Sequence, residues 1–302
     1  MKPIYTLILA TLLIAACKPQ KIELSLNLEK NKDYKQINVS KVDITQNMMG
    51  QSIDMGMTMK SSLNFKVDEI KDTIYDISAK YDSVSMSMES SMFNMTANSE
   101  SEDAANPLTG IMSGMTDKPF NIQLTKHGRI EGVSNIESLF ESDNPMAQAQ
   151  LDQVKVQLQN AFGEESVKSN LQMVTDIFPD HPVKVGDSWV INSTQSSAFK
   201  INYNTTYTLV EKTADYYLIT GSSVITTPDS QAYIENNGME MKTEMNGTMT
   251  SEIKIDKMTG WPIESKQNQD LTGVSKVKGN NMMPDGMEIS MKIKSNTVIT
   301  NK

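Results

Sequence analysis

Residues 53–67 alternate in kind without a break. The odd positions are Ile53, Met55, Met57, Met59, Ser61, Leu63, Phe65 and Val67, and the even ones are Asp54, Gly56, Thr58, Lys60, Ser62, Asn64 and Lys66. A period of two places the sets on opposite faces of a β-strand. Fifteen residues at ~3.3 Å each reach about 50 Å, well beyond an ordinary strand. A strand of that length needs partners of similar length, so this one run commits the chain to a large sheet. The pattern recurs in Phe199, Ile201, Tyr203, Thr205, Tyr207 and Leu209, in Met287, Ile289, Met291 and Ile293, and in Met239, Met241, Met245 and Met249. Tyr75, Ile77, Ala79 and Tyr81 hold odd parity, whereas Val84, Met86 and Met88 hold even parity, which predicts a bulge near Asp82-Ser83. One-sided alternation favours antiparallel strands with one wet face. The fold class expected is mainly β (α+β): one or more long, antiparallel, strongly curved sheets, or a half-barrel.

The middle of the chain changes period. Asp143-Asn144-Pro145 reads as a helix start, Leu151, Val154, Leu158 and Phe162 follow helical spacing, and Gly163 interrupts. Val167, Leu171, Val174 and Phe178 make a second apolar stripe that ends before Pro179. The expected organisation is a signal peptide at 1–16, a tether at 17–22, a first β-half at 23–142, a helical insertion at 143–178 and a second β-half at 179–302. The halves look alike: the hairpin at Leu63–Ile77 parallels Ile201–Ile219, and Phe120–Glu131 parallels Ile253–Glu264. Asn98–Lys118 and Thr227–Gly238 read as loops, and Gly279–Gly286 as a hairpin connection.

Composition narrows function mostly by exclusion. The formal net charge is −9, and loss of Lys2 with the leader would make it −10, the wrong sign for neutralising phosphates, so no nucleic-acid partner is expected. One cysteine rules out a disulfide framework or a Cys-rich metal site, and His127 and His181 are the only histidines. No G-x-S-x-G elbow, P-loop, dinucleotide fingerprint, H-E-x-x-H helix or EF-hand loop occurs. Asp82 with Glu89 and Asp256 with Glu264 read as carboxylates on a solvated face, and His181 as a turn residue. The expectation is a non-enzyme with no cofactor and no catalytic or metal residues.

The N-terminus is more explicit. Met1-Lys2-Pro3 is a short positive region, and Ile4–Ile14 is an apolar run too short for a bilayer span of ~20 residues but suited to a signal peptide. It ends in Leu13-Ile14-Ala15-Ala16-Cys17, which resembles the bacterial lipobox. The resemblance implies cleavage before Cys17, diacylglycerol on its sulfur and acylation of the new amine, so the membrane is a partner through acyl chains. Each buried methylene contributes ~0.8 kcal/mol, and two or three chains make a near-permanent anchor. No Asp follows Cys17 and no acidic cluster stands nearby, so the location expected is the outer membrane, facing the periplasm, with the cell surface as the alternative.

Methionine is abundant, at 23 residues, and many fall on the alternating faces. Methionine is flexible and polarizable, so it fills irregular cores and also suits apolar sites that adapt to a ligand. The ligand-face candidates are Met55, Met57, Met59, Phe65, Met86, Met88, Met241, Met245, Met287 and Met291. They support two readings: a lipoprotein binding a lipid or other hydrophobic ligand, and an envelope structural or protein-interaction lipoprotein with no small ligand. A minor third reading is copper(I) on Met55-Gly56-Met57-Thr58-Met59, since thioethers suit soft metals.

Pro179-Asp180-His181-Pro182-Val183-Lys184-Val185-Gly186-Asp187-Ser188-Trp189 resembles a phrase from an uncharacterised family of β-rich Gram-negative outer-membrane lipoproteins, in which G-D-S-W introduces the second β-half. The resemblance implies that fold and no activity. More distantly, a curved sheet with helices and a lipid anchor is similar to the half-barrel lipoprotein-carrier superfamily, a likeness of architecture alone.

Overall fold

The computed structural model describes residues 21–302 apart from 49, 92, 102–106, 117, 142–147, 150, 152–158, 160–161, 197–199, 229–232, 237–238 and 280–283. The predicted leader at 1–16, Cys17 and the tether as far as Gln20, and Val154 and Leu158 of the first predicted helix, lie outside the described residues.

Among those residues, thirteen strands form one open antiparallel sheet. In chain order they are β1 Asp33–Met48, β2 Gln51–Lys71, β3 Ile74–Ser90, β4 Asn94–Asn98, β5 Phe120–Thr125, β6 Ile130–Ser134, β7 Ser188–Ser196, β8 Lys200–Lys212, β9 Tyr216–Thr226, β10 Ile234–Asn236, β11 Met239–Asp256, β12 Pro262–Val277 and β13 Met287–Thr300. The spatial order is β6-β5-β3-β2-β1-β13-β12-β11-β9-β8-β7, with β4 on β3 and β10 on β11 off that path. The N-terminal strand β1 therefore pairs with the C-terminal β13 in mid-sheet, joining both halves into one sheet. Both halves progress along it in the same direction, the hairpins β2–β3 and β5–β6 in one and β8–β9 and β11–β12 in the other.

The alternating run is strand β2, which extends to 21 residues. The parity slip is a bulge: Ser62 pairs with Ser83 and Leu63 with Tyr81, leaving Asp82 as the extra residue.

Helix α1 (Pro107–Met115), a 3₁₀ turn (Ile136–Phe140) and helix α2 (Glu164–Thr175) lie against the sheet. Gln148, Ala149, Leu151, Gln159 and Phe162 are helical as well. Helix α1 corrects the reading of Asn98–Lys118 as loop. It is short, contains Gly110 and Gly114, and is held by burial of Ile111, Met112 and Met115 and not by propensity. Strand β10 likewise interrupts the loop predicted at Thr227–Gly238.

Helix α2 touches both sheet edges, β6 and β7, and also the interior strand β12. Eleven strands at about 4.8 Å would set the edges some 50 Å apart if flat, whereas a 12-residue helix is about 18 Å long. The sheet must therefore curl around α2. The fit is close: a Cβ on Gly128, in the β5–β6 turn with φ +81°, would stand 1.6 Å from the Thr175 carbonyl oxygen.

Residues 21–29, expected to lead straight into the first β-half, form instead an extended strap across one end of the sheet. Ile22 exchanges backbone hydrogen bonds with Val183, the Leu26 amide donates to the Lys126 carbonyl and the Asn27 amide to Thr259. Ile22, Leu24, Leu26 and Leu28 are buried. At this strapped end Trp261 packs on Tyr34 and Phe65, with ring centroids 5.1 and 5.4 Å away. Trp189 is buried too, its indole N–H donating to the Ile177 carbonyl at 2.9 Å.

Candidate functional site

Strand register assembles the inner face in rows that cross the sheet. One row runs Met86, Met59, Ser40, Thr297, Gln267, Ser251, Gly221 and Tyr207, and the next runs Met88, Met57, Val42, Ser295, Gln269, Met249, Ser223 and Thr205. Below them, at the strapped end, Leu63, Phe65 and Tyr81 belong to the densely buried core. Above them the face is lined by half-buried methionine and isoleucine.

A cavity of about 250 Å³ lies between these rows and helix α2. Its apolar wall includes Met59, Leu63, Tyr81, Met249 and Ile299 from the sheet and Phe162, Val167, Leu171 and Met173 from the helical side. Its polar wall is made of neutral side chains: Gln36, Asn38, Ser40, Gln267, Gln269, Ser295 and Thr297. The one residue with a full charge that touches it among those described, Lys60, is exposed and belongs by parity to the outer face of β2. Burial pushes the Tyr81 phenol well above its ordinary 10.0, so it too stays neutral.

Part of the polar wall is internally satisfied. The hydroxyl oxygens of Ser40 and Thr297 lie 3.0 Å apart, and the Gln267 amide donates to the Met173 carbonyl at 3.3 Å. Gln269 donates to the Tyr203 hydroxyl, which donates to Gln195, whose amide in turn donates to Asn170 on α2. The side facing β1 is not satisfied. Gln36, only 3% exposed, has an amide nitrogen with no partner, and the buried side-chain oxygen of Asn38 has none either. A buried polar group without a hydrogen bond costs roughly 1–3 kcal/mol, so these amides call for a polar guest, water or ligand.

The predicted ligand-face residues divide into three groups. Met59 and Met249 line the cavity. Met55, Met57, Met86, Met88, Met241, Met287 and Met291 are half-buried on the same face, and Met245 is buried among Ile201, Tyr203, Ile225, Met249 and Leu271. Phe65 is the correction: at 2% exposure against Trp261 it is core and touches no cavity, because odd parity on β2 continues past the site into the packed end. The amides were missed because the search was for apolar side chains. Their signal lies in β1, where the inner parity reads Tyr34, Gln36, Asn38, Ser40, Val42, Ile44, Gln46 and Met48: three polar residues in succession among mostly apolar ones.

The carboxylates are tied up structurally. Glu264 pairs with Lys254 and Lys266, which hold its carboxyl below the usual range, and Asp256 caps the β11–β12 turn through the amides of Met258 and Thr259. Asp82 lies 3.7 Å from Lys35, and Glu89 is exposed. His181 is exposed in a turn.

A family model described as a family of unknown function, DUF6263, matches residues 72–262. The chain belongs to that family. DUF6263 thus takes in the strands from β3 to the start of β12, with α2 and part of the cavity wall. No curated protein matches the sequence. Among solved structures, one titled for lipid–protein interactions in lipovitellin is similar over 91% of this chain at 10% identity and TM-score 0.48, and this chain spans only 25% of it. An outer membrane channel from Pseudomonas putida F1 is similar over 91% of this chain and 97% of its own, at 6% identity and TM-score 0.21. OpdQ of Pseudomonas aeruginosa is similar over 89% and 97%, at 5% identity and TM-score 0.18. What this DUF6263 protein binds has to be read from its own residues.

Proposed function

We propose that this protein is a non-catalytic, lipid-anchored outer-membrane binding protein that holds a hydrophobic or amphiphilic ligand between its rolled sheet and helix α2. The observation that carries the reading is the cavity itself. Amides and hydroxyls of β1, β13 and β12 line its middle, Met59 and Met249 flank them, Met173 faces them from α2, and by strand register Met59 leads on to half-buried Met57, Met88 and Met55. At about 250 Å³ it lies just under the ~300–1,000 Å³ typical of small-molecule sites. It suits the polar end of an amphiphile and its first methylenes, with the methionine face left for the tail. Methionine suits a tail of variable length because it repacks at little cost.

The test is native mass spectrometry on residues 18–302, secreted to the periplasm without the anchor and purified without detergent. The buried core residues, from Ile22 to Ile299, all lie within this chain. A co-purifying mass in the lipid range, released on denaturation, supports the reading. A clean apo mass that takes up no added amphiphile transfers it to an envelope-interaction role.

A second reading has its own observation. Met57 pairs with Met88 and Met88 with Met95, so three thioethers share one row, beside the pair Met59 and Met86. Thioethers favour copper(I). This reading expects copper(I) binding that disappears in Met55→Leu/Met57→Leu/Met59→Leu and survives filling of the cavity.

A further inference from the structure

Resting on the ligand-binding reading, we infer that the cavity selects amphiphiles whose head is uncharged and carries both a carbonyl acceptor and a hydroxyl or amide donor, as an acylglycerol does. It discriminates against fatty acids and phospholipids of equal chain length.

The unpaired groups define the head. The Gln36 amide nitrogen, in a side chain almost wholly buried, needs an acceptor, and the Asn38 side-chain oxygen needs a donor. The two residues are neighbours on the inner face of β1, two positions apart, so one small head can meet both. An ester carbonyl with a nearby hydroxyl supplies the pair. A carboxylate or phosphate supplies acceptors only, which leaves Asn38 unmatched.

Charge reinforces the selection. Apart from exposed Lys60, the polar groups on the wall are amides, hydroxyls and a phenol held neutral by burial. The outer face is where the ions are, in pairs such as Lys254–Glu264, Lys276–Glu244 and Lys294–Asp270. An anionic head entering the cavity would lose its hydration and meet no inward cation among the described residues, a large cost. A cationic head fares no better, because no acid is among the residues that line the cavity.

The test is equilibrium dialysis of the delipidated 18–302 chain with 1-monolauroylglycerol, dodecanol, laurate and a lauroyl lysophospholipid, which share a twelve-carbon chain. At neutral pH monolauroylglycerol is expected to bind at least about tenfold tighter than laurate, a factor that one well-made buried hydrogen bond can account for, and tighter than the lysophospholipid, whose ester and hydroxyl match the pair but whose phosphate would have to be desolvated. Gln36→Leu is expected to weaken monolauroylglycerol about tenfold. Asn38→Leu gives the same readout should Gln36→Leu fail to fold, and the wild-type ranking needs neither variant. Laurate binding equal to or tighter than monolauroylglycerol, or a monolauroylglycerol affinity unmoved by both variants, overturns the head-group inference while the binding reading stands. If none of the four ligands binds, the binding reading itself falls.

Discussion

At the scale of single residues, two positions set how α2 is held. Gly128 has φ +81° and no room for a methyl group beside the Thr175 carbonyl. Gly128→Ala combines left-handed strain with a backbone clash, and should cost more than about 2 kcal/mol, read as a lowered urea midpoint. Asp176, at the end of α2, has its pKa raised above the ordinary 3.8 chiefly by burial, with Arg129 and His127 pulling the other way. A carboxyl whose folded pKa is raised favours folding while protonated, and loses that contribution as pH climbs through the folded value. Asp176→Asn should therefore be more stable than the wild type at neutral pH, with the gap closing as pH falls through the raised folded value towards 3.8; paired thermal melts across that range measure it. Neither position announces itself in sequence. Gly128 reads as one turn glycine among several, and Asp176 as one acid among 37 acidic residues.

At the scale of elements, the strap and α2 do the closing. Leu24 and Leu26 are 2% and 1% exposed although they belong to no strand of the sheet. Leu26→Ala should destabilise by roughly 2–5 kcal/mol, the range for a large-to-small change in a packed core. Such a loss would show that residues 21–29 are structural and not a mere leash. The alternation Ile22, Leu24, Leu26, Leu28 was visible in the sequence, but it suggests strand, and only its hydrogen bonds to Val183, Lys126 and Thr259 reveal a strap. The methionine face gives the opposite test. Met249 is buried on the cavity wall, so Met249→Trp fills space without opening a void. We expect it to abolish co-purification of ligand in native mass spectrometry, at a stability cost of about 1–3 kcal/mol.

At the scale of the whole molecule, the sheet has unlike ends. The strapped end holds Trp261, Tyr34, Phe65 and Tyr75 in a dense core. The other end, where β1 turns into β2 and β12 into β13, carries half-buried Met48 and Met287 and exposed Phe93. If Cys17 carries the proposed acyl chains, four residues separate it from Ile22, and five Cα–Cα steps keep the anchor within about 18 Å of the strapped end. The methionine end would then point away from the anchoring membrane by up to the length of β1, on the order of 50 Å. Fluorophores on Met258→Cys and Phe93→Cys in vesicle-anchored protein should differ accordingly, with a lipid-embedded quencher dimming the first and sparing the second.

Read alone, the sequence determined the local structure and the class of fold. Strict parity in β2, β8, β11 and β13 specified strands and their wet face, though each strand runs beyond its alternating run, and the slip before Val84 located the bulge, because side-chain direction in an extended chain depends only on position. Stripes of period 3.6 marked α2 for the same reason. Only the tertiary structure decided that β1 and β13 meet in mid-sheet, that both edges curl onto α2, and that Gln36 and Asn38 face a cavity and not solvent. Those outcomes depend on pairings between residues as far apart as Ile37 and Thr300. No periodicity within a single strand encodes which other strand it will meet.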